Sequence, residues 1–112
     1  MSETTNTAEQ PRVLVTYTDV LHEAARVFKV HHRDILGRAK YDFILPARFG
    51  LYKALHLRGN SYSQIGRWLD RDHATVRHGV LRATEMMKDI NYFTKVHLLA
   101  GTLDQKERKG GR

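Results

Sequence analysis

The most informative part of this sequence is residues 61–82, which read SYSQIGRWLDRDHATVRHGVLR. Ser61 is followed three residues later by Gln64, and this spacing fits a capping box at the start of a helix. The apolar residues that follow predict a short helix that ends near Leu69. The next two residues, Asp70-Arg71, predict a tight turn.

A second, longer helix is expected after this turn. Asp72 is a good N-cap, because its carboxylate accepts from the exposed N–H groups and favours the positive end of the helix dipole. The buried face of this helix is predicted from residues at helical spacing: Val76, Val80, Ala83 and Met87. Gly79 inside the helix indicates a close approach of the preceding helix. A short helix, a tight turn and a longer helix are typical of a helix-turn-helix.

The exposed face of the second helix has the chemistry of base recognition. The residues off the buried stripe are His73, Ala74, Thr75, Arg77, His78 and Arg82. Arginine can donate two hydrogen bonds to guanine, and threonine and alanine methyl groups can meet the thymine methyl. Threonine and histidine can also bond to base edges. The first turn of the helix would point at the groove, which favours His73, Ala74 and Thr75 as readers.

The remaining segments show helical periodicity, and no strand-like alternation is long enough to compete, so the sequence predicts an all-α fold. The first expected elements are a helix capped by Thr18 that runs to Phe28, a further turn over 33–36 ending at Gly37, and a basic loop over 37–43. A helix from Pro46 to about Leu57 and a turn over 58–60 follow. The last expected helix runs from Tyr92 to Leu99, with Phe93 on its buried face and Gly101 as its stop. One domain is expected over 13–101, with a disordered tail over 1–12 and a basic flexible tail over 102–112.

Three aromatic residues near these segments are interpreted as anchors to the core. Trp68 lies in the short helix with Ile65 and Leu69. Tyr41 and Phe43 lie in the basic loop, where stacking on bases is the alternative interpretation.

Charge and composition bear on the partner. The chain has 112 residues and a net charge of +7. Residues 26–82 hold twelve basic and four acidic residues, a net charge of +8, so the positive charge belongs to the middle of the chain. Such a charge favours a polyanion, with nucleic acid first and an anionic membrane surface second.

Other classes are disfavoured by what the sequence lacks. The absence of cysteine excludes disulfides, zinc–thiolate sites and cysteine nucleophiles. No apolar run is long enough to span a bilayer, and the polar start does not fit a signal peptide, so a cytoplasmic, nucleoid-associated protein is expected. No paired carboxylates, activated nucleophile or cofactor loop is evident, so we expect no enzyme and no cofactor.

A metal site is not expected from the histidines. Two pairs are poorly spaced to bind one metal ion: the adjacent His31 and His32, and the i, i+5 pair His73 and His78.

At this point the sequence resembles a known family. Residues 71–78, RDHATVRH, are similar to the GRDHTTVLHA signature of domain IV of DnaA, the bacterial replication initiator. The resemblance extends upstream through Ile35-Leu36, the basic loop and Pro46 to SYSQIG at 61–66, which stands in place of SLPEIG, and it covers about residues 18–100. It implies a six-helix bundle built round a helix-turn-helix, in the Trp repressor-like superfamily.

The resemblance also implies site residues. The start of the recognition helix, Asp72, His73 and Ala74 followed by Thr75, would contact bases in the major groove. Together with the wider basic surface, the candidates for the backbone or the minor groove are Arg38, Lys40, Arg48, Lys53, Ser61, Tyr62, Ser63, Arg71 and Arg82. The chain departs from the family pattern at Ala74, at Ala39 where the loop usually inserts an arginine, and at Arg77, which replaces an apolar residue.

The function expected is sequence-specific binding of double-stranded DNA, as a regulator of transcription or of replication initiation in a bacterium or phage. No Gly-rich Lys-Ser/Thr phosphate loop is present, so we expect no nucleotide to bind. We therefore expect a free-standing DNA reader and not a full initiator. Whether the protein self-associates on clustered sites, or binds a protein partner, is left open by the sequence. The alternatives are a small helical adaptor for an acidic partner and a non-specific nucleic-acid-binding protein.

Overall fold

The computed structural model describes residues 17–110, and these residues form helices joined by turns and loops, without a strand. The elements are α1 (Tyr17–Phe28), α2 (His32–Leu36), α3 (Leu45–Leu57), α4 (Tyr62–Leu69), α5 (His73–Met86) and α6 (Ile90–Gly110). The predicted all-α class and the six helices are confirmed for this part of the chain. The expected tail over residues 1–12 lies outside the described residues. None of the described helices is long and apolar enough to cross a membrane.

The centre of the bundle is α3, which packs against each of the other five helices. Pro46 stands in its first turn, where the missing N–H has no cost. Both faces of α3 are buried, through Ala47, Leu51, Tyr52, Ala54 and Leu55. The site elements α4 and α5 are therefore attached to an apolar helix at the middle of the core.

Local signals placed most of the helix ends correctly. The Gln64 N–H donates to Ser61 Oγ over 3.1 Å, and the Ser61 N–H donates to Gln64 Oε1 over 2.8 Å. The predicted capping box is thus confirmed. The Asp72 carboxylate accepts from the Ala74 N–H over 3.1 Å, as expected of an N-cap. Gly37 ends α2, also as predicted.

Three predictions about the outer helices are wrong. Thr18 lies inside α1, which already begins at Tyr17. Gly101 does not stop α6, whose backbone stays helical to Gly110, because an exposed helical glycine costs only about 1 kcal/mol relative to alanine. The tail expected from residue 102 is therefore helical as far as it is described. Phe93 is 41% exposed. The neighbouring Tyr92 packs inward instead, and its hydroxyl donates to the Pro46 carbonyl over 2.7 Å.

The short helix α2 is held by a buried arginine from α3. Arg48 is only 6% exposed, and its Nε and Nη2 donate to the carbonyls of Ile35 and Asp34 over 3.0 and 2.8 Å. Carbonyls at the end of a helix have no partner within the helix, so these bonds satisfy groups that would otherwise be orphaned. Burial lowers the pKa of Arg48 and raises the pKa of Tyr52 beside it.

A second arginine covers the next two carbonyls. Arg71 Nη2 donates to Leu36 O over 2.7 Å and to Gly37 O over 2.5 Å. Its Nη1 donates to the carbonyls of Leu69 and Asp70, both over 3.1 Å. Arg71 therefore joins the end of α2, where the basic loop starts, to the turn between α4 and α5. A positive charge at a helix C-terminus also interacts favourably with the negative end of the helix dipole.

A glycine allows α5 to lie close to α3. A Cβ on Gly79 would overlap Tyr52 Cδ2 and lie 2.9 Å from Phe49 Cδ1. The predicted close approach is confirmed, but the partner is α3 and not the preceding helix, because α3 occupies the centre of the bundle.

We expect Gly79→Ala to lower the free energy of unfolding by about 1–3 kcal/mol, because the added methyl overpacks the Tyr52 ring. Gly101→Ala is the matched control, since a Cβ there meets nothing within 4 Å. It should raise the free energy of unfolding by roughly 0.5–1 kcal/mol through helix propensity. Urea denaturation of the two variants measures both values, and a Gly79→Ala chain as stable as the parent would contradict the close contact.

We expect Arg48→Met to lower the free energy of unfolding by about 2 kcal/mol, because the buried Ile35 carbonyl and the part-buried Asp34 carbonyl lose their donor. Lys53→Met removes a half-buried cation from the same helix and should stay within about 0.5 kcal/mol of the parent. Thermal and urea unfolding of both variants test this difference. Equal losses for the two would argue against a specific role for the Arg48 bonds.

Candidate nucleic-acid interface

The turn between α4 and α5 is compact and has a defined geometry. Asp70 takes a left-handed backbone with φ of 55°, and the Arg71 N–H donates to the Gly66 carbonyl over 2.8 Å. A Cβ on Gly66 would overlap the Arg71 carbonyl oxygen, so glycine is required for the chain to fold back this closely. Three residues, 70–72, thus join two helices in the arrangement of a helix-turn-helix.

The N-terminal half of α5 presents its polar side chains to solvent. The predicted readers are all exposed: His73, Ala74, Thr75, Arg77 and His78. His78 packs edge-on against the ring of Phe49, with the centroids 6.1 Å apart. His73 Nδ1 lies 3.8 Å from Asp72 Oδ1. Asp72 was also predicted to contact bases, and its Oδ2 accepts the capping bond from Ala74, which leaves Oδ1 as its other acceptor.

A cleft separates α5 from the basic loop 37–43. Its volume is about 1070 Å³, and it opens to solvent. The cleft is lined by Arg38 and Lys40 from the loop, by Leu45, Arg48, Phe49 and Tyr52 from α3, by Asp70, Arg71 and Asp72 from the turn, and by Ala74, Thr75 and His78 from α5. The structure therefore brings the two predicted loop cations to one side of the cleft and the predicted readers Ala74, Thr75 and His78 to the other, whereas His73 and Arg77 do not line it.

An ion pair crosses this cleft at its open end. Arg38 Nη2 lies 3.6 Å from Asp70 Oδ2, and both side chains are largely exposed. Exposed pairs of this kind contribute little to stability, so either group is available to another partner. Arg38 is the loop arginine of the cleft, which makes Asp70 a competitor of any anion that binds there.

Several residues predicted to contact the DNA backbone have other roles. Arg48 is buried against the carbonyls of α2, and Arg71 is occupied by four backbone carbonyls, so neither is a free surface cation. Ser61 Oγ serves the capping box. The ring of Tyr62 stacks on His56 with centroids 4.6 Å apart. These side chains hold the helix-turn-helix in place.

The other backbone candidates keep a place on the surface. Lys40 and Ser63 are exposed, and Lys53 is half-buried. Arg82 is exposed and lies 3.3 Å from Glu85 Oε1, one turn further along α5.

The three aromatic anchors predicted from the sequence are wrong. Trp68 is 45% exposed, because Ile65 and Leu69 already fill the buried face of α4. Tyr41 and Phe43 are 62% and 63% exposed, because Ile44 supplies the buried anchor of the loop.

The paired histidines near α2 have contacts of their own. No group of three His, Cys, Asp or Glu side chains that could hold a metal ion occurs within the described residues. His31 is the N-cap of α2, and its Nδ1 accepts from the Arg33 N–H over 3.1 Å. His32 stacks on His31 with ring centroids 4.5 Å apart.

Comparison with known proteins gives a consistent result. The chain is 33% identical over 99 residues to the chromosomal replication initiator protein DnaA of Deinococcus radiodurans, a match that covers 85% of this chain and 21% of that protein. It is 28% identical over 102 residues to DnaA of Deinococcus deserti and 27% identical over 100 residues to DnaA of Clavibacter sepedonicus. No family model matches.

The chain thus spans about a fifth of the length of the initiators that it matches. The matched stretch takes in nearly all of the helices described above, including α4, the turn and α5. In its sequence and its all-helical fold, the chain is similar to the C-terminal domain of DnaA.

Proposed function

We propose that this protein binds double-stranded DNA at specific sequences and acts in the initiation of DNA replication or its regulation, or in transcription. The observation that carries the proposal is the cleft, with the first turns of α5 on one side and Arg38 and Lys40 of the basic loop on the other. The proposed action is binding alone, without a catalytic step, a nucleotide or a cofactor, on nucleoid DNA in the cytoplasm.

The geometry supports separate roles for α5 and for the basic loop along the duplex. The major groove of DNA is about 12 Å wide and admits an α-helix, so α5 would enter it with its N-terminal half. The basic loop would then face the neighbouring backbone and minor groove. No acidic residue occurs between Asp72 and Glu85, so beyond its Asp72 cap the inserted face of α5 carries no negative charge.

The comparisons support the biological context. The similar proteins are named as chromosomal replication initiators, and the chain matches one domain-sized part of them. A role linked to replication is therefore proposed before a role in transcription. An adaptor for an acidic protein, or a non-specific nucleic-acid binder, would need the positive charge but not the small exposed side chains Ala74 and Thr75 at the helix start.

Selection of bound sequences from random duplex DNA tests the proposal most directly. We expect a short enriched motif, since one domain of this size reads a short site. Enrichment of no motif, with binding at low salt, would favour non-specific binding, and no binding at low salt would favour the adaptor.

We expect the double change His73→Ala and Thr75→Ala to weaken binding to the selected duplex by about 1–3 kcal/mol for each lost base contact. Binding to unrelated duplex should change little, because phosphate contacts carry no sequence information. Thr94→Ala, at an exposed threonine of α6, is the control and should bind as the parent does. Fluorescence anisotropy with both duplexes measures the difference.

Phosphate contacts by the loop are tested by the salt dependence. Lys40→Ala should lower the slope of log affinity against log salt by about 1, because one fewer counterion is released. An unchanged slope would place Lys40 away from the DNA backbone.

Asp70→Asn should strengthen binding severalfold at low salt, because it removes a carboxylate from the cleft and frees Arg38 from its ion pair. Asparagine tolerates the left-handed backbone of residue 70, so the turn should be retained. The combined variant Arg38→Ala with Asp70→Asn is the control, since most of the gain should be lost with the arginine. A gain of equal size in both would assign the effect to the carboxylate alone.

A further inference from the structure

The basic loop carries two aromatic side chains that the proposed function leaves unused. Tyr41 and Phe43 are each more than 60% exposed, and their rings lie within 2° of parallel with centroids 5.8 Å apart. Burial of an aromatic ring is strongly favourable, and two adjacent rings left in solvent forgo that gain. Together the two parallel rings form one exposed apolar surface on an otherwise polar loop.

This surface stands on an anchored backbone. The N–H groups of Ile44 and Leu45 both donate to the Tyr41 carbonyl, over 2.9 and 3.2 Å. Ile44 is buried in the core directly after Phe43. The rings are therefore presented at the start of α3 on a fixed turn.

The charges around the rings indicate the class of ligand. Arg38 and Lys40 precede the rings and line the cleft that they share with α5. Aromatic rings beside a positively charged groove are the arrangement on which nucleobases stack. Asp42, which lies between the two aromatic residues in the sequence, is exposed, and its carboxylate disfavours a phosphate near them. The charges thus favour phosphate at the cations and an uncharged base face at the rings.

We propose that Tyr41 and Phe43 form a nucleobase-stacking site that takes a base of the DNA held by α5. The proposal rests on the proposed function. The base would come either from a step of the duplex that is opened next to the recognised site, as apolar wedges do in minor grooves, or from an unpaired strand. The chemistry at the rings is the same in both cases.

The test compares Tyr41→Ala/Phe43→Ala with the ring-retaining variant Tyr41→Phe/Phe43→Tyr, on the selected duplex and on a single strand of the same sequence. We expect the alanine variant to lose roughly 5- to 150-fold in affinity for each stacked base, and the ring-retaining variant to bind as the parent does. The salt slope should stay unchanged, because no cation is removed. Phe93→Ala, an exposed ring on α6, is the control for a general loss of exposed aromatic surface.

The substrates identify the source of the base. A loss on the duplex alone assigns the rings to an opened step, and a loss on the single strand alone assigns them to an unpaired base. Equal binding of the alanine variant and the parent to both substrates would overturn the stacking site but leave the proposed function intact. Failure of the parent to bind any DNA would overturn both.

Photo-crosslinking adds a direct readout. DNA with 5-iodouracil placed along and beside the recognised site should form an adduct at Tyr41 or Phe43, which peptide mass spectrometry locates. Adducts at α5 without any at the two rings would contradict the proposal. Circular dichroism spectra and unfolding midpoints equal to those of the parent should show that the exposed substitutions leave the fold unchanged.

Discussion

Two arginine side chains hold four consecutive carbonyls at the end of α2, and the rest of the surface depends on this interaction. Arg48 reaches them from the central helix α3, and Arg71 reaches them from the turn between α4 and α5. Without these donors one buried and three part-buried acceptors at the end of a five-residue helix would lose their partners, and a fully buried acceptor left unsatisfied costs about 1–3 kcal/mol. The interaction also fixes the point at which the basic loop leaves the bundle.

The same interaction explains why the loop and α5 face each other. Arg71 belongs to the turn that starts α5, so the residue that orients α5 also bonds to Leu36 and Gly37, where the loop begins. Two glycines make this approach sterically feasible. Gly66 accommodates the Arg71 carbonyl, and Gly79 lets α5 lie on the Tyr52 ring. The positive surface therefore results from the packing of three helices round one turn.

Features set by near neighbours in sequence could be predicted. The capping box of Ser61 and Gln64, the Asp72 cap and the proline at the start of α3 involve groups within three residues of one another, so their geometry follows from the sequence itself. The helix-turn-helix and the exposed face of α5 followed from these boundaries and from helical periodicity. The basic loop was a second predicted contact surface because of its charge and its position upstream of the helix-turn-helix, and the family resemblance implied the same.

Features set by distant neighbours could not be predicted in the same way. In the sequence Arg48 and Arg71 look like surface cations, and only the folded chain shows that both bond to carbonyls at the end of α2, 13 to 35 residues away. The aromatic residues were misplaced for the opposite reason. A ring is usually buried, but Ile65, Leu69 and Ile44 had already filled the core positions beside Trp68, Tyr41 and Phe43. Gly101 shows that a helix can continue through a glycine when nothing else terminates it.

The anchoring of the loop at both ends has a thermodynamic consequence. Arg71 fixes its start and Ile44 fixes its end, so little backbone remains to be ordered when a ligand arrives. The entropy lost on association then falls mainly on long side chains such as Arg38, Lys40 and Arg77, at about 0.5–1.5 kcal/mol for each one immobilised. The heat capacity change of association should scale with the surface that is covered, without the larger contribution that accompanies folding of a disordered segment.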